Sequence, residues 1–387
     1  MKRICIDISN IIPGKGGSGG GIATYALNLI NELDKIYDPA TTEIICLKHK
    51  DFKGIHAERI KQTCISLNTQ NAVIRVFWVQ IYLPIYCLLY KIELLHRVTP
   101  ELPLIKTSRY VCTLHDYMFD FYLNNQTLRQ LMNWRQVFKF KMFRFITYSS
   151  LKISDLILVP SEAIYNETIK TNDKFKDKTQ ITYEASIVKR QPPAPRPDVT
   201  EKRLAVIAGF YPHKGHLQVI ALAEKFIANG FTNFTIDFRG NPAYKGYIND
   251  LSIAIASAKL GDHIKFVKFD AQASLQNIYS NYDAFLLLSE YEGFGLPVLE
   301  AQANNIPVIC SEIAVFKEIL GNSAIFLPNS FDDDIIITDL IASLKNPEKL
   351  KEYIKLGNKN IEKFSWGKMA VETYFNYKNC LGIKVLS

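Results

Sequence analysis

Several patterns that mark whole classes of protein are missing from this sequence. Its seven cysteines are scattered without metal-type spacing, which predicts reduced thiols in the core of a cytosolic protein. The N-terminus does not combine a basic start, an apolar stretch and a small-residue cleavage site, so we do not expect secretion. No internal repeat or low-complexity tract occurs, which excludes a repeat architecture.

The length and composition indicate two globular domains. A chain of 387 residues with 48% hydrophobic residues can bury two cores of ordinary size. The net charge of +8 is compatible with nucleic acid, an anionic membrane or an anionic substrate as partner. The positions of the basic residues in the sequence are therefore needed to distinguish between these partners.

Two aromatic segments near the N-terminus favour a membrane over nucleic acid. The segment from Val73 to Leu95 is apolar but interrupted by polar and charged side chains, and we predict that it is too broken to span a bilayer. The segment from Leu128 to Tyr148 mixes basic and aromatic residues, as does a helix lying at an anionic interface. An ordinary amphipathic helix packed on its domain is the alternative.

Strand-like and helix-like segments alternate in both halves of the chain, which predicts an α/β fold. The predicted strands are Arg3–Ser9, Glu43–Leu47, Tyr110–Leu114, Leu156–Val159, Leu204–Ala208, Thr235–Arg239, Ile264–Val267, Ala284–Leu288 and Val308–Cys310. The proline-rich stretch 191–198 suits neither a helix nor a central strand. We therefore expect domains at 1–190 and 201–366, a linker at 191–200 and a C-terminal segment at 367–387.

The most informative segment runs from Ser289 to Glu300. It places two carboxylates, Glu292 and Glu300, around a glycine-bearing turn between a buried strand and a helix. Backbone N–H groups at such a helix N-terminus bind sugar hydroxyls or phosphate oxygens, and Glu300, expected in the first helical turn, can accept two hydrogen bonds from a ribose diol. The backbone groups predicted to bind belong to Gly293, Phe294, Gly295 and Leu296.

The order Glu-Gly-Phe-Gly-Leu-Pro-x-x-Glu resembles the signature of retaining glycosyltransferases of family four, and the resemblance extends to most of the chain. It implies the GT-B fold, in which two Rossmann-like, doubly wound domains face each other across a cleft. It also implies that the segment 367–387 forms a helix crossing back to the first domain. The alternative is a turn of an unrelated α/β protein with two solvated glutamates.

A glycine-rich loop, Gly14 to Gly21, follows the first predicted strand and opens a helix. Its Gly-x-Gly-x-x-Gly pattern raises a nicotinamide-dependent dehydrogenase as an alternative. That alternative is weakened because the second strand ends in the basic stretch 48–50 instead of a ribose-binding acid. The family resemblance implies that Gly20 and Gly21 face the donor beside the acceptor.

His115 and Asp116 follow a predicted strand, at the sheet edge where α/β proteins bind ligands. The resemblance implies that His115 contacts the transferred sugar, and Asp116 is expected to orient its imidazole. Ser161 and Glu162 also match a family position, but a helix N-cap is the simpler role for Ser161.

The first turn of the second domain, which begins at Gly209, is expected to meet the donor diphosphate. Lys214 is the predicted cation that stabilises the leaving group. Relatives often carry arginine where this chain has Phe210 and His213, so one phosphate contact is missing. A protonated His213 could supply it, as could Arg239 unless that residue is simply solvated.

The base of the nucleotide is expected near the end of a later strand. The resemblance implies contacts with Val267, in the turn that it forms with Lys268, and near Asn241. Nothing in these residues distinguishes one base from another.

These residues predict a retaining glycosyltransferase that moves a hexose from a nucleotide-diphosphate sugar to a lipid-linked saccharide. Catalytic roles are assigned to His115, Glu292 and Lys214. The family resemblance implies that the departing phosphate takes the acceptor proton. No cofactor is expected. No metal is expected either, and the lack of Asp-x-Asp in a suitable loop agrees with a reaction that needs no metal.

The expected donor and the expected cellular location depend mainly on resemblance to known proteins. Sequence blocks including Arg75–Pro84 look most like bacterial mannosyltransferases of polysaccharide synthesis, which implies GDP-mannose as donor and the cytoplasmic face of the inner membrane as location. The alternatives are a UDP-sugar-dependent transferase, a GT-B sugar-nucleotide epimerase and a non-catalytic scaffold.

Overall fold

The computed structural model describes residues 1–14, 20–188, 201–242, 244, 246–268, 275–328, 330–331 and 333–383. They divide into two compact units. Unit 1 comprises Met1–Glu184 with Ser365–Ser387, and unit 2 comprises Ala185–Phe364. The predicted linker 191–200 and residues 15–19 of the glycine-rich loop lie outside the described residues.

Unit 1 is built on a seven-stranded parallel sheet of order β3-β2-β1-β4-β5-β6-β7. The strands are β1 (Lys2–Ile8), β2 (Thr42–His49), β3 (Lys61–Ile65), β4 (Leu94–Arg97), β5 (Arg109–Thr113), β6 (Leu156–Val159) and β7 (Thr179–Ile181). The helices between them are α1 (Gly21–Ile36), α2 (Ala72–Phe77), α3 (Leu83–Leu89), α4 (Met118–Asn124), α5 (Gln126–Gln130), α6 (Trp134–Ile153) and α7 (Glu162–Thr171). A π-helical turn, Trp78–Tyr82, joins α2 to α3.

Unit 2 repeats this plan with a six-stranded parallel sheet of order β10-β9-β8-β11-β12-β13. Its strands are β8 (Lys202–Ile207), β9 (Phe234–Arg239), β10 (Ile264–Val267), β11 (Ala284–Leu287), β12 (Val308–Ser311) and β13 (Ile325–Leu327). Its helices are α8 (His216–Ala228), α9 (Tyr247–Ser257), α10 (Leu275–Tyr279), α11 (Leu296–Ala303), α12 (Ala314–Leu320), α13 (Asp334–Lys345) and α14 (Pro347–Ile361). Strands β11 and β12 are buried along their whole length, as expected for a parallel sheet covered on both faces.

The C-terminal helix, α15 (Trp366–Cys380), packs within unit 1. Its Tyr374 hydroxyl lies 2.8 Å from the Thr42 hydroxyl of β2. Its buried Tyr377 hydrogen-bonds His96 of β4. These buried polar contacts join the last helix of the chain to the first sheet.

That the Val73–Leu95 segment is too broken to span a bilayer stays a prediction, although part of it is more uniformly apolar than expected. Among the described residues, Ala72–Leu89 is long and apolar enough to cross a membrane by length and composition alone. The charged residues Lys91 and Glu93 fall beyond the end of α3, so Arg75 is the one charged side chain within the segment. Core helices of soluble proteins can have the same length and apolar composition. The packing of this segment is therefore more informative than its composition.

Candidate active site

The central feature of unit 2 is the point where its strand order reverses. Strands β8 and β11 are neighbours, and the chain leaves each of them at the carboxyl edge of the sheet. Open parallel sheets bind ligands in the crevice outside such a switch point. The two segments that flank the crevice are residues 208–215 after β8 and residues 288–295 after β11.

These two segments are in close backbone contact. The Glu290 amide donates to the carbonyl oxygen of His213 at 2.9 Å. Gly215 has a φ of +74°, and a Cβ there would lie 1.9 Å from the carbonyl oxygen of Leu288. Only a glycine fits between the two turns, so their relative position is set by backbone contact.

Two of the predicted catalytic residues meet at this crevice. The Lys214 Nζ donates to Glu292 Oε1 at 2.7 Å, and the Ser289 hydroxyl donates to the same oxygen at 2.8 Å. Glu292 is buried, Ser289 is fully buried and the Lys214 side chain is 20% exposed. An ammonium is thus held beside buried side chains, where electrostatic interactions with an anion are stronger than in bulk water.

The other predicted donor-binding positions of unit 2 lie along the same sheet edge. Gly295 is the N-cap of α11 with a φ of +94°, and Phe294 packs its buried ring on Phe364 at 5.9 Å between centroids. Val267 ends β10, the edge strand, two strands away from β8. The remaining positions lie in the turns after β8 and β11 or at the start of α11: Gly209, Gly293 and Leu296.

Glu300 does not lie in the first turn of its helix, as the sequence had suggested. Because α11 begins at Leu296, Glu300 lies in the second turn and is partly buried. Burial raises the pKa of Glu300 to about 7, and a hydrogen bond from the Tyr279 hydroxyl, at 3.4 Å, opposes the shift. Glu300 is therefore a carboxyl group that changes charge near neutral pH. Tyr279 was not predicted, since it comes from a separate helix.

The structure disfavours one candidate for the missing phosphate contact, a protonated His213, whereas the other candidate, Arg239, stays a prediction. His213 is buried, and desolvation, with a smaller effect from Lys214 and His216, holds its pKa well below its usual value, so a protonated His213 is disfavoured. Arg239 is not a solvated loop residue, since it ends β9 and its Nε donates to the Tyr282 hydroxyl at 2.5 Å. That hydroxyl in turn donates to the buried Asp237 at 2.6 Å.

In unit 1, His115 follows β5 at the carboxyl edge of the sheet, and both of its ring nitrogens are engaged. Nδ1 lies 3.1 Å from Glu184 Oε1, and Nε2 lies 3.1 Å from the carbonyl oxygen of Val98. A carbonyl only accepts, so Nε2 carries a proton. Nδ1 faces the buried Glu184 carboxylate, which fixes the orientation of the ring.

The orienting partner of His115 was predicted incorrectly. Asp116 accepts a hydrogen bond from the Met118 amide at 2.9 Å and stabilises the start of α4. Glu184 takes the orienting role, and it is buried just beyond the short strand β7. A carboxylate shortly after a strand was the available signal, but β7 has three residues and was not predicted. Ser161 caps α7 as expected, accepting from the Ile164 amide at 3.2 Å.

The glycines predicted beside the acceptor lie at the start of α1. Gly20 is its N-cap and Gly21 its first residue, and both are exposed. They follow β1, which neighbours β4 at the strand-order reversal of unit 1. Within the described part of the chain, no group of three or more His, Cys, Asp and Glu side chains could hold a metal ion.

Comparison with known proteins agrees with this architecture. Residues 188–360 match the family described as "Glycosyl transferases group 1". The chain is 26% identical over 362 residues to O-antigen chain mannosyltransferase RfbU of Salmonella typhimurium, covering 92% of this chain and 94% of the relative.

Two solved structures show the same fold along nearly the whole chain. Sucrose-phosphate synthase of Thermosynechococcus elongatus has a TM-score of 0.75 at 15% identity, covering 99% of this chain and 100% of that one. Anabaena HepE, solved in complex with UDP and glucose, has a TM-score of 0.68 at 15% identity, covering 98% and 99%. The predicted GT-B fold is confirmed.

Proposed function

We propose that this chain, a GT-B glycosyltransferase with a glycosyl transferases group 1 domain, transfers mannose from GDP-mannose to a hydroxyl of a lipid-linked saccharide in O-antigen-like synthesis. The observation that carries the proposal is the Lys214–Glu292 pair at the strand-order reversal of unit 2, within the region that matches the family. The choice of mannose is supported by similarity to an O-antigen mannosyltransferase over 92% of the chain.

In the proposed mechanism the configuration of the sugar is retained. The bond between the anomeric carbon and the donor phosphate breaks, and a bond to the acceptor oxygen forms on the same face. The departing phosphate oxygen takes the proton of the acceptor hydroxyl. Lys214 stabilises the negative charge that develops on the diphosphate, assisted by the N-terminus of α11. The reaction as proposed needs neither a metal nor a cofactor.

The proposal is tested with a panel of nucleotide sugars. GDP-mannose should raise the melting temperature more than UDP-glucose, UDP-N-acetylglucosamine, a dTDP-sugar or NAD⁺. Transfer from the stabilising donor should survive a chelator, and NMR should show the anomeric configuration of the donor in the product. Preference for a UDP-sugar would replace mannose, and inversion or metal dependence would overturn the mechanism. Conversion of the donor without an acceptor would indicate an epimerase.

Glu300 should make donor binding depend on pH. The folded protein holds the Glu300 proton more tightly than the unfolded chain, because its pKa is about 7 against a usual 4.5. Its contribution to stability is therefore fully present below pH 4.5 and is lost as pH rises through about 7. A ribose diol donates to the ionised carboxylate, so donor affinity should rise across the upper part of the same interval.

Calorimetric titration of the donor at about pH 6 and about pH 8 checks this expectation. Donor affinity should be about tenfold higher at the higher pH, because the ionised carboxylate accepts a charged hydrogen bond. In Glu300→Gln, affinity should be lower at the higher pH and nearly independent of pH. An unchanged pH dependence in that variant would assign the effect to another group.

Glu184→Gln should lower turnover by about tenfold, since it removes the charged partner of His115. Donor affinity should change little, because Glu184 lies in unit 1 and the predicted donor residues Lys214 and Glu300 lie in unit 2. The control is Glu58→Gln, which removes an exposed carboxylate from unit 1. Steady-state kinetics across pH separate the two effects: an unaltered kcat, or a loss confined to KM, would contradict the positioning role.

A lipid-linked acceptor would place the protein at the cytoplasmic face of the inner membrane. We propose this location on the basis of the basic and aromatic helix α6. Its described contacts bury Thr147, Ser150 and Leu151, whereas Trp134 and Phe138 in its first turns are exposed.

A further inference from the structure

A stripe of exposed apolar side chains runs the length of Ala72–Leu89, the segment formed by α2, the π-helical turn and α3. The exposed fractions range from 49% at Ile81 to 78% at Val73. The stripe consists of Val73, Val76, Phe77, Ile81, Ile85, Leu88 and Leu89. Spacings of three and four residues place these side chains on one face of a helix.

The π-helical turn contributes to the alignment of the stripe. In an α-helix, residues four apart drift around the axis because one turn takes 3.6 residues. A π-helical turn takes more residues per turn and reduces that drift between Phe77, Ile81 and Ile85. The opposite face is buried in unit 1 through Trp78, Leu83 and other residues, so the segment lies on the unit as an attached helix.

Helix α6 lies next to the stripe. The Arg75 guanidinium of α2 lies over the Phe143 ring of α6, 5.9 Å from its centroid. The Gln80 side chain holds the loop that carries exposed Leu104 and Ile105. It donates to the carbonyl oxygen of Leu102 at 3.1 Å and accepts from the Leu104 amide at 2.9 Å. The apolar surface therefore continues into this loop.

The border of this surface on α6 is basic. Arg135 and Lys139 are exposed, and the Lys139 ammonium lies over the Phe143 ring, 5.5 Å from its centroid. Arg135 lies over the Trp134 ring at 5.3 Å from its centroid. A surface of this kind, apolar in the middle and cationic at the rim, complements the acyl chains and anionic headgroups of a bilayer.

A second copy of the chain fits the surface less well. Pairing the same surface of two copies would bring two basic α6 helices together in a protein of net charge +8. An apolar protein partner would match the stripe but not its cationic rim. Because its opposite face is buried in unit 1, the helix would lie in the plane of the membrane interface and not across the bilayer.

We propose that Ala72–Leu89 is a membrane-embedded helix that seats unit 1 on an anionic lipid surface, with its apolar stripe at the acyl boundary and α6 among the headgroups. The inference extends the proposed function, since it rests on a lipid-linked acceptor for its biological purpose. The binding itself requires neither donor nor transfer.

The experiment measures partition of the full chain, without donor, onto vesicles of phosphatidylcholine with or without phosphatidylglycerol. The test variant carries Ile81→Asn, Ile85→Asn and Leu88→Asn, all at exposed positions. The matched control carries Ile253→Asn, Ile335→Asn and Val371→Asn, which are equally apolar and similarly exposed elsewhere. A third variant, Arg135→Glu with Lys139→Glu, reverses charge on α6.

The wild type should bind anionic vesicles and keep part of its binding at high salt. The stripe variant should lose at least tenfold in partition and all of the salt-resistant fraction, and the control should bind like the wild type. The charge-reversal variant should lose only the salt-sensitive part.

Wild-type binding by the stripe variant, or no vesicle binding by the wild type, would overturn the proposal. So would a concentration-dependent dimer that the stripe variant abolishes, since a second copy would then cover the face. Donor-induced thermal stabilisation, measured in parallel, should be unchanged in the stripe variant. A failed donor assay with intact vesicle binding would therefore count against the proposed function alone.

Discussion

Lys214→Ala should lower kcat/KM for sugar transfer by about 10²- to 10³-fold, the usual cost of removing one group that stabilises transition-state charge. The Lys214 ammonium is held 2.7 Å from Glu292 and is largely screened from water, so solvent cannot replace it. The loss should fall mainly on kcat, because charge on the leaving group develops as the glycosidic bond breaks.

The substitution also leaves Glu292 buried with the Ser289 hydroxyl as its remaining described hydrogen-bond partner. Activity could therefore fall because the ammonium is lost or because an unpaired Glu292 destabilises the protein. The double variant Lys214→Ala with Glu292→Gln separates these two causes, since it removes the uncompensated charge and would recover stability without activity. Lys225→Ala is the control for loss of a partly exposed, ion-paired lysine from the same unit. Steady-state transfer assays decide the matter, and near wild-type kcat/KM in Lys214→Ala would exclude a role for this ammonium in the reaction.

Strands could be predicted from the sequence where their residues form a local apolar pattern. Strand β6 matches its predicted bounds because it is a short, buried run of apolar residues between turn signals. Strand β10 also matches its predicted bounds, although only Ile264 in it is buried. Strand β4 was not predicted, since half of it is His96 and Arg97. Both are fully buried, and their burial is compensated by Tyr377 and Asp7, which are distant in sequence.

The difference between local sequence pattern and contacts distant in sequence also explains which features of the candidate site were predicted correctly. The turns after β8 and β11 were predicted because their glycines and the proline of α11 act through the local backbone. A protonated His213 was a wrong prediction because its state depends on burial, and the expectations for Arg239 and Glu300 were incomplete because each has a partner from another element. Tyr282 engages Arg239, and Tyr279 donates to Glu300, and no local pattern around either residue reports the contact.

The second large effect is expected from Gly215→Ala. Gly215 and Gly230 flank the same helix, α8, and have nearly equal φ values of +74° and +71°. An alanine at Gly230 would have open space around its Cβ and should cost about 1–2 kcal/mol of unfolding free energy for the left-handed backbone. An alanine at Gly215 would incur the same backbone cost and would also place its Cβ 1.9 Å from the Leu288 carbonyl oxygen.

Because that contact is with backbone, relief requires the turn carrying Lys214 to move away from the segment carrying Ser289 and Glu292. We expect Gly215→Ala to destabilise unit 2 by about 4 kcal/mol or more, within the range of severe single substitutions, and to abolish donor-induced stabilisation. Gly230→Ala should retain that stabilisation at a modestly lower melting temperature. Denaturant unfolding and donor-dependent melting of both variants test the expectation. Equal losses in the two would show that backbone strain alone accounts for Gly215, and that close contact between the turns does not position the lysine.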